Sequence, residues 1–137
     1  MNTTMKPRLL VVDDALIMRT MIKDIARNAG WEIAGEATTG AEAVARYREL
    51  RPDLVTLDIV MPEMDGVEAL RTIRGEDPRA RVVMVTAIDQ RAKLTECIQL
   101  GAHDFVVKPF DRQALRSLFE GLRPSPSGPA AAADAVS

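Results

Sequence analysis

The sequence has few of the residues on which disulfide-linked, membrane-spanning and nucleic-acid-binding proteins depend. Its single cysteine, Cys97, cannot form an internal disulfide, which favours a reducing, cytoplasmic location. No apolar run is long enough to span a bilayer, and residues 1–8 are too polar to open a secretory signal. The 18 Lys and Arg residues are balanced by 20 Asp and Glu residues, without a long basic run. We therefore expect neither direct nucleic-acid binding nor membrane insertion.

Aromatic residues make up only 4 % of the 137 residues, so the core must consist mainly of Val, Leu, Ile, Met and Ala. With 47 % hydrophobic residues, a chain of this length suits one domain with one core. We place that domain at residues 8–123, after an N-terminal extension over residues 1–7. Residues 124–137 are rich in Pro, Ser, Gly and Ala and offer little to bury, so we expect a disordered tail.

The hydrophobic pattern alternates between short strand-like runs and helical spacing. Five strands are predicted, each followed by a helix, at residues 8–12, 31–37, 54–58, 81–87 and 104–108. Helix starts are indicated by the capping box of Thr39 and Glu42 and by the capping residues Asp65 and Asp111. This alternation predicts an α/β fold with a doubly wound, five-stranded parallel sheet. The flavodoxin-like strand order 2-1-3-4-5 is favoured among the right-handed topologies.

Polar side chains follow four of the predicted strands at the point where each strand ends. Asp13 and Asp14 follow the first strand, Asp58 ends the third, Thr86 is near the end of the fourth and Lys108 ends the fifth. Because the carboxyl ends of parallel strands meet at one edge, we expect these side chains to converge. Three neighbouring carboxylates repel one another unless a cation binds, and their hard oxygens favour Mg²⁺.

This set of residues suits the transfer of a phosphoryl group. Asp58 stands alone at the end of the central strand and is therefore the candidate nucleophile, which would form an acyl phosphate. The Lys108 ammonium and the Thr86 hydroxyl are placed to stabilise the phosphoryl oxygens.

The same residues resemble the response-regulator receiver family of two-component signalling. The resemblance covers about residues 8–123 and rests on Asp13–Asp14, Asp58 in "LDIVMPEMDG", "VTA" around Thr86 and "FVVKPF" around Lys108. It implies that Asp58 accepts a phosphoryl group from the phosphohistidine of a histidine kinase.

The resemblance also implies a set of metal ligands and a response to phosphorylation. Asp14, Asp58 and the backbone carbonyl of Val60 would bind Mg²⁺ directly, and Asp13 would reach it through water. Lys108 would pair with the phosphoryl oxygens, and the bond from Lys108 to Pro109 would be cis.

Two residues would carry the switch within this family. Thr86 would move toward the phosphoryl group, and the ring of Phe105 would turn inward and reshape the face made by helix 4, strand 5 and helix 5. Val60 and Ile88 are apolar at the two positions that shape the phosphoryl lifetime, which implies slow self-dephosphorylation.

Within the family, the chain resembles the stand-alone receivers of chemotaxis. This implies a downstream protein target such as a flagellar switch component, and a monomer for which dimerisation on activation stays open. It also implies a signalling protein rather than a turnover enzyme, although Asp58 would undergo self-catalysed phosphorylation and dephosphorylation.

Three alternative functions stay open, and two others are disfavoured by the residues at particular positions. A receiver of another pathway, one cut from a larger regulator with an output domain, and a module that binds without phosphorylation stay open. A phosphatase of the haloacid dehalogenase type needs a second acid at position 60, where Val60 stands. A flavin or dinucleotide carrier needs a phosphate-binding loop after the first strand, where "DDALIM" is acidic.

Four single residues have simpler interpretations. Asp14 by itself could be the N-cap of helix 1. His103 is expected to be exposed in the turn before the fifth strand, without a role in carrying phosphate. Cys97 is expected to pack in the core, and Trp31 to pack at an edge of the sheet.

Overall fold

The predicted α/β fold is confirmed by a computed structural model that describes residues 6–87 and 89–124. Five parallel strands form one sheet in the order β2-β1-β3-β4-β5. The elements are β1 (Arg8–Val12), α1 (Leu16–Asn28), β2 (Glu32–Ala37), α2 (Gly40–Leu50), β3 (Leu54–Asp58), α3 (Gly66–Glu76), β4 (Val82–Ala87), α4 (Arg91–Gln99), β5 (Asp104–Lys108) and α5 (Arg112–Leu122). Residues 1–5, Ile88 and almost all of the proposed tail lie outside the described residues.

The helices cover both faces of the sheet. On β1, Leu9 and Val11 pack with residues of α1 and α5, whereas Leu10 and Val12 pack with residues of α2, α3 and α4. This two-sided burial is why β1 is a continuous apolar run rather than an alternating one. None of the helices within the described ranges has the length and the hydropathy needed to cross a bilayer.

The predicted helix caps are present in the structure. The Thr39 hydroxyl accepts a hydrogen bond from the backbone N–H of Glu42 at 3.0 Å. The Glu42 carboxylate accepts one from the backbone N–H of Thr38 at 2.8 Å, one residue before the usual partner in a capping box. Asp65 and Asp111 cap α3 and α5 in the same way. These caps fix where α2, α3 and α5 leave the edge of the sheet that carries the acidic residues.

Trp31 is buried at an edge of the sheet. It precedes the edge strand β2, yet only 1 % of its surface is exposed. Its indole Nε1 donates a hydrogen bond to the backbone carbonyl of Phe119 on α5 at 2.9 Å, and the two rings are tilted against each other. Trp31 therefore packs beside the edge strand β2, as expected, and it is fully buried there because α5 supplies both an apolar surface and a hydrogen-bond acceptor.

Candidate functional site

The three predicted carboxylates meet at the carboxyl end of the sheet. Asp13 and Asp14 lie in the loop between β1 and α1, and Asp58 is the last residue of β3. The two strands pair in parallel, with Val12 opposite Leu57, so their ends are neighbours. One carboxylate oxygen from each of the three residues lies within 4.8 Å of the other two. Such a set of hard oxygens fits the ligand preference of Mg²⁺.

Asp13 and Asp14 differ in how many hydrogen bonds their carboxylates already accept. Asp13 is 1 % exposed, and its Oδ1 accepts the backbone N–H of Ala15 at 2.9 Å while its Oδ2 accepts Lys108 Nζ at 2.9 Å. Asp14 is exposed and makes no side-chain hydrogen bond within the described part of the chain. The N-cap of α1 is Ala15, so Asp14 does not have the simple capping role considered above. Asp14 therefore has both carboxylate oxygens available for a ligand, whereas each oxygen of Asp13 already accepts one hydrogen bond.

Lys108 supplies the positive charge of the site. Its Nζ lies 2.9 Å from Asp13 Oδ2 and 3.5 Å from Asp58 Oδ2, so the side chain reaches from β5 to the loop after β1 and to the end of β3. Burial alone would lower the pKa of Lys108, but the hydrogen bond to Asp13 and the charge of Asp58 outweigh it and raise that pKa. The ammonium therefore stays charged while it faces the carboxylates.

Asp58 is held at an electrostatic cost. Its pKa is raised to about 6, because burial and the neighbouring charge of Asp13 raise the pKa by more than the charge of Lys108 lowers it. One ammonium is thus insufficient to compensate this group of acids. A divalent cation beside Asp58 would favour the ionised carboxylate, and the donor atoms present fit Mg²⁺.

The loop between β3 and α3 packs closely behind Asp58. A Cβ atom on Gly66 would lie 2.1 Å from the backbone oxygen of Asp58, so only glycine fits there. The Gly66 N–H donates to the carbonyl oxygen of Ile59 at 2.6 Å, which closes the loop. Val60 lies in this loop directly after Ile59, and the residue is 51 % exposed. The loop therefore packs against the backbone of Asp58 and leaves the Val60 side chain in solvent.

Thr86 and Phe105 line one cavity between β4, β5 and α4. Thr86 is buried, and its hydroxyl donates to the carbonyl oxygen of Ala87 at 3.2 Å. Phe105 is 43 % exposed, and a cavity of about 400 Å³ lies between it, Thr86 and Leu94 on α4. The cavity is large enough to receive an aromatic side chain. The peptide bond from Lys108 to Pro109 is cis, as the resemblance implies.

Arg19 is a contact of this site that the sequence analysis does not include. Its Nη1 donates to the backbone carbonyl of Asp13 at 2.9 Å, and its Nε donates to Glu36 Oε1 at 2.9 Å. A polar residue in an amphipathic helix normally indicates a solvated position, yet this side chain is only 13 % exposed. The available signal was its place in the first turn of α1, because side chains lean toward the N-terminus of a helix.

Two residues outside the site occupy the expected environments. His103 is exposed in the turn before β5, and Cys97 is fully buried in the core between the sheet and α2, α3 and α4. Burial raises the pKa of the Cys97 thiol to about 11, which makes it unreactive at neutral pH.

Comparisons with known proteins relate this chain to chemotaxis regulators. Residues 9–120 match the family described as the response regulator receiver domain. Chemotaxis protein CheY of Thermotoga maritima is 54 % identical over 106 residues, which are 77 % of this chain and 88 % of that protein. CheY of Listeria monocytogenes is 50 % identical over 113 residues, covering 82 % of this chain and 95 % of that protein. The crystal structure of a CheX–CheY–BeF₃–Mg complex from Borrelia burgdorferi matches with a TM-score of 0.76 and 36 % identity, over 81 % of this chain and 86 % of that one.

Proposed function

Because the chain belongs to the response regulator receiver domain family, we propose that Asp58 is the residue that accepts the phosphoryl group. The chain is a receiver of the CheY type, and such receivers act in two-component signalling, where they take phosphate from a histidine kinase. The observation that carries the proposal is the convergence of Asp13, Asp14 and Asp58 within 4.8 Å, with Lys108 Nζ beside two of them.

The proposed reaction is an attack by a carboxylate on phosphorus. An Asp58 oxygen forms the new bond to phosphorus, the bond to the histidine nitrogen of the donor breaks, and that nitrogen keeps the electron pair. Lys108 turns from Asp13 to the phosphoryl oxygens, and Thr86 donates its hydroxyl to one of them. Asp14, Asp58 and the Val60 carbonyl would hold Mg²⁺ directly and Asp13 would hold it through water. A bound Mg²⁺ would supply further neutralisation of the phosphoryl oxygens.

We propose that the wider protein follows the receivers of chemotaxis. The receiver domain would span residues 8–123, with residues 1–7 as an extension and residues 124–137 as a tail. The protein would act in the cytoplasm as a monomeric signalling protein rather than as a turnover enzyme. Its output would be a downstream protein such as a flagellar switch component, which the similarity to CheY proteins supports.

The proposed switch uses the cavity beside Thr86. When Thr86 and Lys108 are drawn to the phosphoryl group, the ring of Phe105 turns from solvent into the space they leave. The exposure of this ring and the cavity of about 400 Å³ next to it support the motion. The turn removes an aromatic side chain from the face made by α4, β5 and α5, so phosphorylation changes what that face can bind.

Phosphorylation by acetyl phosphate tests the assignment of Asp58. With Mg²⁺ present, we expect the intact mass of the wild-type protein to increase by one phosphoryl group, because the small donor replaces the kinase. The Asp58→Ala variant should show no increase, and a chelator should abolish the increase in the wild-type protein. The matched control is Asp89→Ala, which removes an exposed acid from the loop between β4 and α4. Labelling of Asp58→Ala, or no labelling of the wild-type protein, contradicts the assignment.

Tryptophan fluorescence tests the motion of Phe105. In a Phe105→Trp variant, beryllofluoride with Mg²⁺ should shift the emission to shorter wavelength and reduce quenching by acrylamide, because the indole leaves solvent. The native Trp31 is buried and should contribute a constant background, which the wild-type protein measures. A second variant that also carries Thr86→Val lacks the hydroxyl and should show a smaller shift. An unchanged emission in Phe105→Trp would rule out the proposed motion.

A further inference from the structure

We propose that Arg19 is a positioning residue for the metal site, although it touches none of the reacting groups. Its guanidinium holds the backbone of the loop from which Asp13 and Asp14 project. This inference rests on the proposed function, because it concerns the affinity of the same acidic residues for Mg²⁺.

The guanidinium joins three parts of the fold. Nη1 donates to the Asp13 carbonyl at 2.9 Å, Nε donates to Glu36 on β2 at 2.9 Å, and the side chain itself stands on α1. Glu36 is held in place a second time, because its Oε2 accepts Lys23 Nζ at 2.7 Å. The peptide N–H of Asp13 is also fixed, since it donates to the carbonyl of Ala37 at 3.1 Å. Both polar groups of the Asp13 backbone are therefore tied to β2 or to a residue bound to it.

The Arg19 clamp, which consists of its hydrogen bonds to Asp13 and Glu36, matters most for the position of Asp14. Its carboxylate makes no hydrogen bond within the described residues, so its position follows from the backbone on either side. If the loop is already fixed, a metal ion can bind without ordering it, and less binding free energy is lost. Glu36 orients the guanidinium; burial alone would raise the pKa of Glu36, but its hydrogen bonds to Lys23 and Arg19 outweigh burial and lower that pKa.

Positioning and simple electrostatics predict opposite changes in the affinity for Mg²⁺ when Arg19 is replaced. Arg19 carries a positive charge next to a cation site, so removing that charge alone would strengthen Mg²⁺ binding. Loss of positioning predicts the opposite, a weaker site. A decrease in affinity therefore cannot come from the charge change.

Lys23 provides the matched control. It stands on the same helix and binds the same carboxylate as Arg19, but its side chain makes no hydrogen bond to Asp13 in the described structure. The variants Arg19→Met and Lys23→Met each remove one positive charge and one ion pair to Glu36. Only the first removes the hydrogen bond to the Asp13 carbonyl.

The experiment is a titration of the full chain with MgCl₂, followed by the NMR shifts of backbone amides. We expect Arg19→Met to weaken Mg²⁺ binding about ten-fold, the lower end of the effect of residues that orient metal ligands. Lys23→Met should stay within about two-fold of the wild-type protein, because the loop keeps its clamp. Arg19→Gln, which is polar and shorter, provides the same test should Arg19→Met fail to fold.

A second measurement works without metal. The Ala15 N–H donates to Asp13 Oδ1, so its hydrogen exchange reports on the order of the loop. We expect faster exchange in Arg19→Met than in the wild-type protein, and wild-type exchange in Lys23→Met. Equal effects of the two substitutions, or no effect of Arg19→Met on either measurement, would overturn the proposal. If the wild-type protein binds no Mg²⁺, the proposed function fails, while the exchange of Ala15 still decides whether Arg19 orders the loop.

Discussion

Replacing Lys108 by Met should lower the free energy of unfolding of the metal-free protein by about 3 kcal/mol at neutral pH. The reason is Asp13, which is 1 % exposed and has the Lys108 ammonium at 2.9 Å. Removing the ammonium leaves a buried carboxylate without a charged partner, and Asp58 loses the same neighbour at 3.5 Å. Urea denaturation in the presence of a chelator measures the change.

The control for this prediction is an ion pair at the protein surface. Lys93 lies 3.5 Å from Asp65, and both side chains are well exposed, at 45 % and 36 %. Because solvent screens such a pair, Lys93→Met should cost no more than about 0.5 kcal/mol. Added Mg²⁺ should restore stability to Lys108→Met, since a cation that binds only the folded state stabilises it. Equal losses in the two variants would mean that the Lys108 ammonium does not compensate the buried acids.

The second large effect is an increase in stability. Replacing Asp58 by Asn should raise the free energy of unfolding of the metal-free protein by about 2 kcal/mol at about pH 8. Burial raises the pKa of Asp58 in the folded state from 3.8 to about 6. The folded state therefore binds the proton more tightly than the unfolded state. The wild-type protein accordingly loses stability as the pH rises from about 4 through 6, and Asn at position 58 does not titrate.

The pH dependence separates charge from packing in this variant. Below about pH 3 the carboxyl of Asp58 is mostly protonated in both states, because its unfolded-state pKa is 3.8, so Asp58→Asn should no longer be more stable than the wild-type protein. Asp89→Asn removes an exposed acid near the same edge and should leave the pH profile unchanged. Denaturation curves at several pH values measure the effect. An advantage of Asp58→Asn that is the same at acid and alkaline pH would show that packing, not ionisation, causes it.

The architecture could be predicted because the hydrophobic pattern reports burial directly. A continuous apolar run such as that of β1 is required where helices cover both faces of a strand. Once the strand ends and the order 2-1-3-4-5 are known, parallel geometry brings Asp13, Asp58 and Lys108 together. Residue type and strand position are therefore sufficient to predict where these acids and their counter-charge meet.

Contacts between distant segments could not be predicted in this way. Trp31 is buried by a residue 88 positions away, and nothing in the weak alternation of β2 indicates that partner. Arg19 is a charged residue at a helix position that would normally be solvated. It holds the Asp13 backbone only because the loop between β1 and α1 passes within hydrogen-bond distance of it. The need for glycine at position 66 follows from the backbone of Asp58, which the local sequence does not reveal. Each of these three contacts depends on which chain segments the fold brings together, and residue type alone does not reveal that.

The three acids and one lysine at this edge have a consequence for the approach of a phosphate donor. At neutral pH their formal charges leave an excess of two negative charges, held within a few ångströms. An anionic donor is repelled by such an opening, whereas a divalent cation makes it electroneutral and a monovalent cation does not. The valence of the ion thus determines whether the donor can come close enough to react, and not only how its oxygens are stabilised once it has arrived.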